Sequence, residues 1–255
     1  MFGKQVCDCQ DVATIITAMT DSEEPFVRQT VEAVLLDPCI GQVVLCVEQS
    51  NTWIGTILGK LLQDPRLEIV RMPMAFLGAV RNQALEYVKL PWVAYCDGDD
   101  IWCEGKTLHQ RSWADVTNSD FVGADHYLIN EDARVCAFAL ARNIPMPSSW
   151  FVRTEVMKQH PFQDSLSTGE DGEWWIRTNS LIRKVRCPKM LLRYRVRSGS
   201  LSSNTPSKKR KAKIVAFASL PILREMTLFI TWCAWLSTRR KEYIWLEEWG
   251  QQICE

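Results

Sequence analysis

Apolar and polar positions alternate in blocks along the first hundred residues of the chain. Residues 13–20 form a β-branched apolar run closed by Asp21 and Ser22, which predicts a buried strand. Asp21-Ser22-Glu23-Glu24-Pro25 predicts a helix start, and Phe26, Val27, Thr30, Val31, Val34 and Leu35 recur at helical spacing until Asp37-Pro38 ends the helix. Val43 to Val47 predicts a second buried strand, closed by the polar run Glu48-Gln49-Ser50-Asn51. A helix over Trp53 to Leu62, a strand over Leu67 to Arg71, a helix over Gly78 to Val88 and a strand over Trp92 to Cys96 follow. Strand and helix alternating at such short intervals predict a parallel sheet with crossover helices.

The second half is less regular. Asp120 to Leu128 predicts a strand, and Ser148 to Val156 a strand that runs into a helix. A polar loop from Gln163 to Gly169 leads into the aromatic helix of Glu170-Asp171-Gly172-Glu173-Trp174-Trp175. Leu191 to Ser202 predicts a closing strand and loop. The character then changes. A polar linker, Ser203 to Ser207, precedes the basic block Lys208-Lys209-Arg210-Lys211-Ala212-Lys213. Two apolar runs come next, Ile214 to Leu223 and Met226 to Leu236, split by Arg224-Glu225, and then Arg239-Arg240-Lys241, Trp245 and Trp249. A spanning helix needs about 20 apolar residues in a row, and neither run reaches that. Two expectations remain for these helices: docking on the main body, or lying at a membrane surface with basic and tryptophan flanks among anionic head groups.

The strand over Trp92 to Cys96 stops at Asp97-Gly98-Asp99-Asp100. Three acids within four positions repel one another and cannot be buried without positive charge. A divalent metal is the simplest source, and hard carboxylate oxygens suit Mg²⁺ or Mn²⁺ better than Zn²⁺. A solvated acidic turn is the alternative. A phosphatase with an aspartate nucleophile also carries Asp-x-Asp after a strand, but Ile101 stands where that class has a small hydroxyl residue or Val.

Composition narrows the picture in two places. Thirty basic residues balance thirty acidic ones over 255 residues, so overall charge makes no case for nucleic acid. The ten cysteines include no Cys-x-x-Cys pair, which argues against zinc, and several lie inside apolar runs. Free thiols in a reducing cytoplasm are expected, and the amino-terminal residues lack the apolar stretch of a signal peptide.

Asp99-Asp100-Ile101-Trp102 followed by Lys106 and Gln110 resembles the Asp-Asp-x-Trp…Lys…Gln run of family 2 glycosyltransferases, departing from it at Glu104 and Thr107. Four further segments are similar in order and spacing. Thr17-Ala18-Met19-Thr20 stands where the family cradles the base, with Met19 in place of a frequent aromatic ring, and Glu48-Gln49 stands where paired aspartates read the nucleoside. Gly78-Ala79-Val80-Arg81-Asn82 matches a helix start whose arginine reaches a phosphate or holds the acidic knot. Tyr194-Arg195-Val196-Arg197 matches the closing Tyr-Arg-x-His, with Arg197 replacing the histidine, so that position could bind diphosphate but not metal.

The resemblance covers residues 14–202 and implies an α/β fold of GT-A type. That is a Rossmann-like, mostly parallel sheet flanked by helices, here with a helical carboxy-terminal appendage. It implies a domain over 1–202, with a nucleotide-sugar half at about 13–100 and an acceptor half at 101–202, followed by 203–255. It implies an inverting, metal-dependent hexosyltransferase. Asp99 would hold Mn²⁺ or Mg²⁺, and Asp97 would support the metal or the ribose. Thr17, Met19, Glu48, Gln49, Arg81 and Arg197 would contact the nucleotide sugar. Asp171 would be the general base, assisted by Glu170. The Gln-x-x-Arg-Trp of processive members is absent, so one sugar is transferred to a saccharide, lipid-linked or protein acceptor, as in polysaccharide biosynthesis. A membrane surface met through residues 208–249 would make the protein peripheral at the inner face of a membrane. The competing expectation, from Met19, Gln49 and Arg197, is a non-catalytic nucleotide-sugar-fold module that recruits partners.

Overall fold

The structure, a computed structural model, describes residues 10–139, 144–197 and 206–239. The first half builds four parallel strands: β1 (Val12–Ala18), β2 (Ile40–Glu48), β3 (Leu67–Met72) and β4 (Trp92–Asp97), in the spatial order β3-β2-β1-β4. Helices α1 (Val27–Leu35), α2 (Ile54–Leu58) and α3 (Leu77–Leu85) make the crossovers. These strands are apolar on consecutive positions because both faces of the sheet are covered. Ile15, Val44 and Val93 pack with Val80 and Ala84 of α3 on one side. Their neighbours Ile16, Leu45 and Ala94 pack with Val31 and Val34 of α1 on the other.

The sheet continues with strands of both senses. They are β5 (Ile101–Trp102), β6 (Phe121–Ile129), β7 (Val135–Phe138), β8 (Phe151–Arg153) and β9 (Lys184–Arg195). The full order is β3-β2-β1-β4-β8-β6-β9-β5, with β7 paired to β6. β8 runs antiparallel to both β4 and β6, whereas β6 and β9 are parallel. Parallel pairing runs through the first half, as its strand–helix alternation predicts, and recurs in the β6–β9 pair. The helices of this half are α4 (Lys106–Thr117), α5 (Thr154–Gln159) and α6 (Glu170–Arg177). Trp174 of α6 is fully buried against Trp150, Phe121 and Phe162, at ring-centroid distances of 4.9, 5.9 and 6.3 Å.

The tail forms α7 (Pro206–Phe217) and α8 (Pro221–Arg239). The break falls at residues 218–220, not at Arg224-Glu225, because Pro221 has no N–H to extend the preceding helix and is well tolerated as a first helical residue. α8 docks on the body through one face. Arg224 Nε donates to the Val135 carbonyl at 2.8 Å, the Phe138 amide donates to Thr231 Oγ1 at 3.1 Å, and Trp235 Nε1 donates to Asp125 Oδ2 at 2.7 Å. Asp125 also pairs with Arg186 in the interior of the second half. No helix among the described residues is long and apolar enough to cross a membrane. Ser198 to Ser202, Arg240, Lys241, Trp245 and Trp249 lie outside the described residues, as does the side chain of Lys208.

Candidate active site

β1, β2 and β4 end side by side. Thr17 of β1 is in register with Cys46 of β2 and Asp97 of β4, so Thr17, Glu48 and Asp97 come out at one edge of the sheet. The strand order turns back between β1 and β4, and a crevice outside strand carboxyl ends at such a point is where open α/β sheets bind ligands. Met19 is buried beside this edge, and Gln49 is exposed just past β2. Ser50 donates to the Glu48 carboxylate through its amide at 2.7 Å and through its hydroxyl, which holds that carboxyl below the ordinary glutamate range.

The turn after β4 divides the three acids among three environments. Gly98 lies so close to β1 that a Cβ there would sit 2.9 Å from both Ala18 Cβ and the Thr17 carbonyl. Only glycine fits, and the chain therefore turns tightly against β1. Asp97 keeps a partly exposed carboxylate, with Oδ1 accepting from Arg81 Nη2 at 2.9 Å and from Thr17 Oγ1 at 3.3 Å. Asp99 Oδ2 accepts from Arg197 Nε at 2.5 Å. Asp100 is wholly buried, facing the Arg195 amide at 2.9 Å and the Ser148 hydroxyl. Burial, followed by repulsion from Asp99 and Asp97, raises its pKa well above the ordinary aspartate range. Burial also raises that of Asp99, against the pull of Arg197.

The positive charge expected at the knot is supplied here by arginines. Arg197 spreads over three partners: Asp99, Glu23 Oε1 at 2.8 Å and the Ser22 carbonyl at 2.9 Å. Arg195 Nε donates to the Asp99 carbonyl at 2.7 Å, and its Nη atoms reach the carbonyls of Asn130 and Glu131 and the side chain of Gln29. Glu23 and Arg195 were given no role from sequence. The spacing Thr20-x-x-Glu23, that of a capping box, marks the first of them: Glu23 Oε2 accepts from the Thr20 amide at 2.8 Å.

Arg81 joins the two acidic segments. Its side chain is 2% exposed, Nη2 meets Asp97, and Nη1 meets Glu170 Oε1 at 2.7 Å. The end of β4 and the start of α6 are therefore held within the span of one guanidinium, although Asp97 and Glu170 are 73 positions apart in sequence. Both terminal nitrogens are committed to carboxylates, so of its two expected roles Arg81 fills the second, holding the knot. Asp171 is half-buried beside this bridge and adds to the negative field at Arg81. Its Oδ1 accepts from the Gly172 amide at 2.9 Å.

Trp102, Lys106 and Gln110 stand behind the site and brace it. Trp102 Nε1 donates to the Ser148 carbonyl at 3.2 Å, and Gln110 Nε2 donates to the carbonyls of Ser149 and Val122 at 2.7 and 2.8 Å. Ser148, fixed in this way, accepts from the Asp97 amide at 3.0 Å. Lys106 is fully buried with Nζ 4.0 Å from the Trp102 ring, and desolvation lowers its pKa to about 7.

Among the described residues no group of three His, Cys, Asp or Glu side chains could hold a metal ion by itself. Asp97 and Asp99 nonetheless fit a hard divalent ion. One oxygen of each is engaged by an arginine, whereas Asp97 Oδ2 and Asp99 Oδ1 receive no side-chain donor among the described residues. Mg²⁺-type sites commonly combine one or two carboxylates with substrate phosphates and water.

A model of glycosyl transferase family 2 matches residues 14–183. A curated relative, the UDP-Glc:α-D-GlcNAc-diphosphoundecaprenol β-1,3-glucosyltransferase WfgD of Escherichia coli, is 27% identical over 153 residues, covering 55% of this chain and 60% of the relative. The chain thus spans less than two thirds of that protein's length. Among solved structures, TarS (1–349) of S. aureus with UDP-GlcNAc superposes with a TM-score of 0.62 at 16% identity, covering 81% of this chain and 65% of TarS. The mannosyltransferase PcManGT of Pyrobaculum calidifontis, with GDP-Man and Mn²⁺, gives 0.60 at 12% identity over 77% and 61% of the two chains. At these identities the superpositions establish a shared fold, the GT-A type expected from the sequence.

Proposed function

Because the chain belongs to glycosyl transferase family 2, we propose that it moves one sugar from a nucleotide-diphosphate sugar to an acceptor hydroxyl, with inversion and without chain growth. The Arg81 bridge is the observation that carries this reading, since one guanidinium holds both a carboxylate-bearing strand end and the start of the Glu170-Asp171 segment. Residues 13–100 serve the donor and residues 101–202 the acceptor. The nucleoside lies over the ends of β1 and β2, where Thr17, Met19, Glu48 and Gln49 can meet it. Arg197 turns its guanidinium to the diphosphate, leaving Asp99.

Asp99, with Asp97, would hold Mn²⁺ or Mg²⁺, and the ion would supply positive charge to the departing diphosphate. The acceptor oxygen bonds to the anomeric carbon as the bond from that carbon to the diphosphate breaks on the opposite face. The acceptor's proton passes to Asp171, at Oδ2, because Oδ1 is held by the Gly172 amide. Glu170, held by Arg81, fixes the start of α6 and with it the position of Asp171. The acceptor is a lipid-linked saccharide, in keeping with the name of the curated relative, and the enzyme works as a peripheral protein at the inner face of a membrane.

Two variants test the assignment. Asp99→Ala abolishes donor turnover and Mn²⁺-dependent donor binding. Asp171→Asn binds donor as the parent does, while transfer slows by about 10²- to 10⁴-fold. Full transfer by Asp171→Asn removes the base from that residue. Calorimetric titrations showing no affinity for UDP, GDP or CDP with Mn²⁺ would instead make the chain a non-catalytic module.

A further inference from the structure

α8 docks through hydrogen bonds of Arg224, Thr231 and Trp235, and it is the opposite face that is apolar. Ile222, Met226, Phe229 and Ile230 follow one another at helical spacing on the outer side, and are 78%, 52%, 64% and 61% exposed. Trp232 and Leu236 extend the strip toward the end of the helix, and Phe217 and Leu220 extend it back into the preceding turn. The charged residue exposed on this face is Glu225, already paired with Arg224 at 3.0 Å. A surface helix ordinarily shows water a polar face. This one runs for about 28 Å with a bare hydrophobic ridge.

What covers the ridge is indicated by the neighbouring helix. α7 contains no acidic residue, and Lys209, Arg210 and Lys213 are exposed on it. A second copy of this chain would bring α8 ridges together, and among the described residues of α7 and α8 the only carboxylate it would offer those cations is the paired Glu225. An anionic lipid surface satisfies both features, with acyl chains for the ridge and head groups for the lysines. As described, α8 is not long and apolar enough to cross a bilayer, and in this proposal it lies in the interface plane.

We propose that the outer face of α8, flanked by the basic face of α7, seats the enzyme on an anionic membrane leaflet. The opposite face of α8 is fixed to β7 and to Asp125, so the seated helix sets the orientation of the second half of the body toward the membrane. The proposal deepens the reading of a lipid-linked acceptor and rests on it for its purpose, though not for its geometry.

The test uses the full chain and vesicle flotation, with phosphatidylcholine vesicles with and without phosphatidylglycerol. The wild type is expected to float with the anionic vesicles. The variant Ile222→Ser/Met226→Ser/Phe229→Ser/Ile230→Ser, altered only at exposed positions, is expected to partition at least about tenfold less. The variant Lys209→Gln/Arg210→Gln/Lys213→Gln is expected to lose most of the preference for anionic lipid, on the order of a hundredfold. Unchanged UDP or GDP binding and unchanged tryptophan emission in buffer establish that both variants are folded. Equal flotation of the serine variant and the wild type overturns the proposal, as does absence of the wild type from all vesicles. Sedimentation showing a wild-type dimer that the serine variant dissolves assigns the ridge to self-association and also overturns it. A chain that floats as expected but turns over no nucleotide sugar defeats the transferase reading alone.

Discussion

Replacing Arg81 by Met keeps the aliphatic stem and removes the charge that joins the two acidic segments. Deleting one partner of a buried ion pair costs about 3–5 kcal/mol, because the other partner stays behind uncompensated. The Glu170 side chain is 9% exposed and cannot recover its loss from water, while that of Asp97, at 29%, partly can. The lower end, about 3 kcal/mol, is therefore expected. For a chain of this size that corresponds to a melting point lower by about 6–12 °C. Urea unfolding at neutral pH, followed by tryptophan fluorescence and calorimetry, measures it. Adding Glu170→Gln to Arg81→Met should restore more than half of the loss, since no buried charge then lacks a partner. Arg81→Lys should fall between, because one ammonium cannot serve two carboxylates on separate nitrogens. A loss below about 1 kcal/mol in Arg81→Met, the value of an ordinary exposed pair, would refute the claim that this bridge ties the two acidic segments together.

Two further outcomes follow from the same geometry. Gly98→Ala puts a methyl group 2.9 Å from Ala18 Cβ and the Thr17 carbonyl, and should cost about 1–3 kcal/mol while weakening donor binding; an unchanged thermal midpoint would show that β1 yields freely. Lys106 titrates near pH 7 in the folded chain, against an ordinary value of 10.5. The unfolded chain therefore binds the extra proton between those limits, and stability gained through Lys106 rises with pH across that window. Lys106→Met should accordingly gain most over the wild type near pH 6 and progressively less toward pH 9 in denaturant titrations. A difference independent of pH would mean that Lys106 stays charged beside Trp102.

The first half of the fold was legible because its signals are local. Strands expected over 13–20, 43–47, 67–71 and 92–96 fall within a few residues of β1 to β4, and the helix over 26–36 matches α1. The helix expected over Trp53 to Leu62 breaks at Gly59, whose φ of +52° suits glycine and ends α2 early. β9 was seen only from Leu191 onward. Its first part, Lys184-Val185-Arg186-Cys187-Pro188, buries a lysine and an arginine, which no alternation of apolar and polar residues announces. Lys184 is held by the Trp175 carbonyl at 2.6 Å and the rings of Trp174 and Trp175, and Arg186 by Asp125. At the site, the acids were readable as a cluster and Arg81 as a cation that could hold them, but the pairing of Arg197 with Asp99 was not. Arg197 meets Asp99 across 98 positions of chain, and only the fold chooses that partner over another arginine.

The contact between Trp235 and Asp125 bears on how the carboxy-terminal helices can be studied. Cutting the chain before Pro206 would do more than remove an anchor: it would uncap a buried carboxylate that Arg186 shares across β6 and β9. A shortened protein that fails to bind lipid would then report on two injuries at once. Redecorating the outer side of α8 leaves that cap in place, so the fragment and the repainted helix are different experiments, and only the second isolates adhesion.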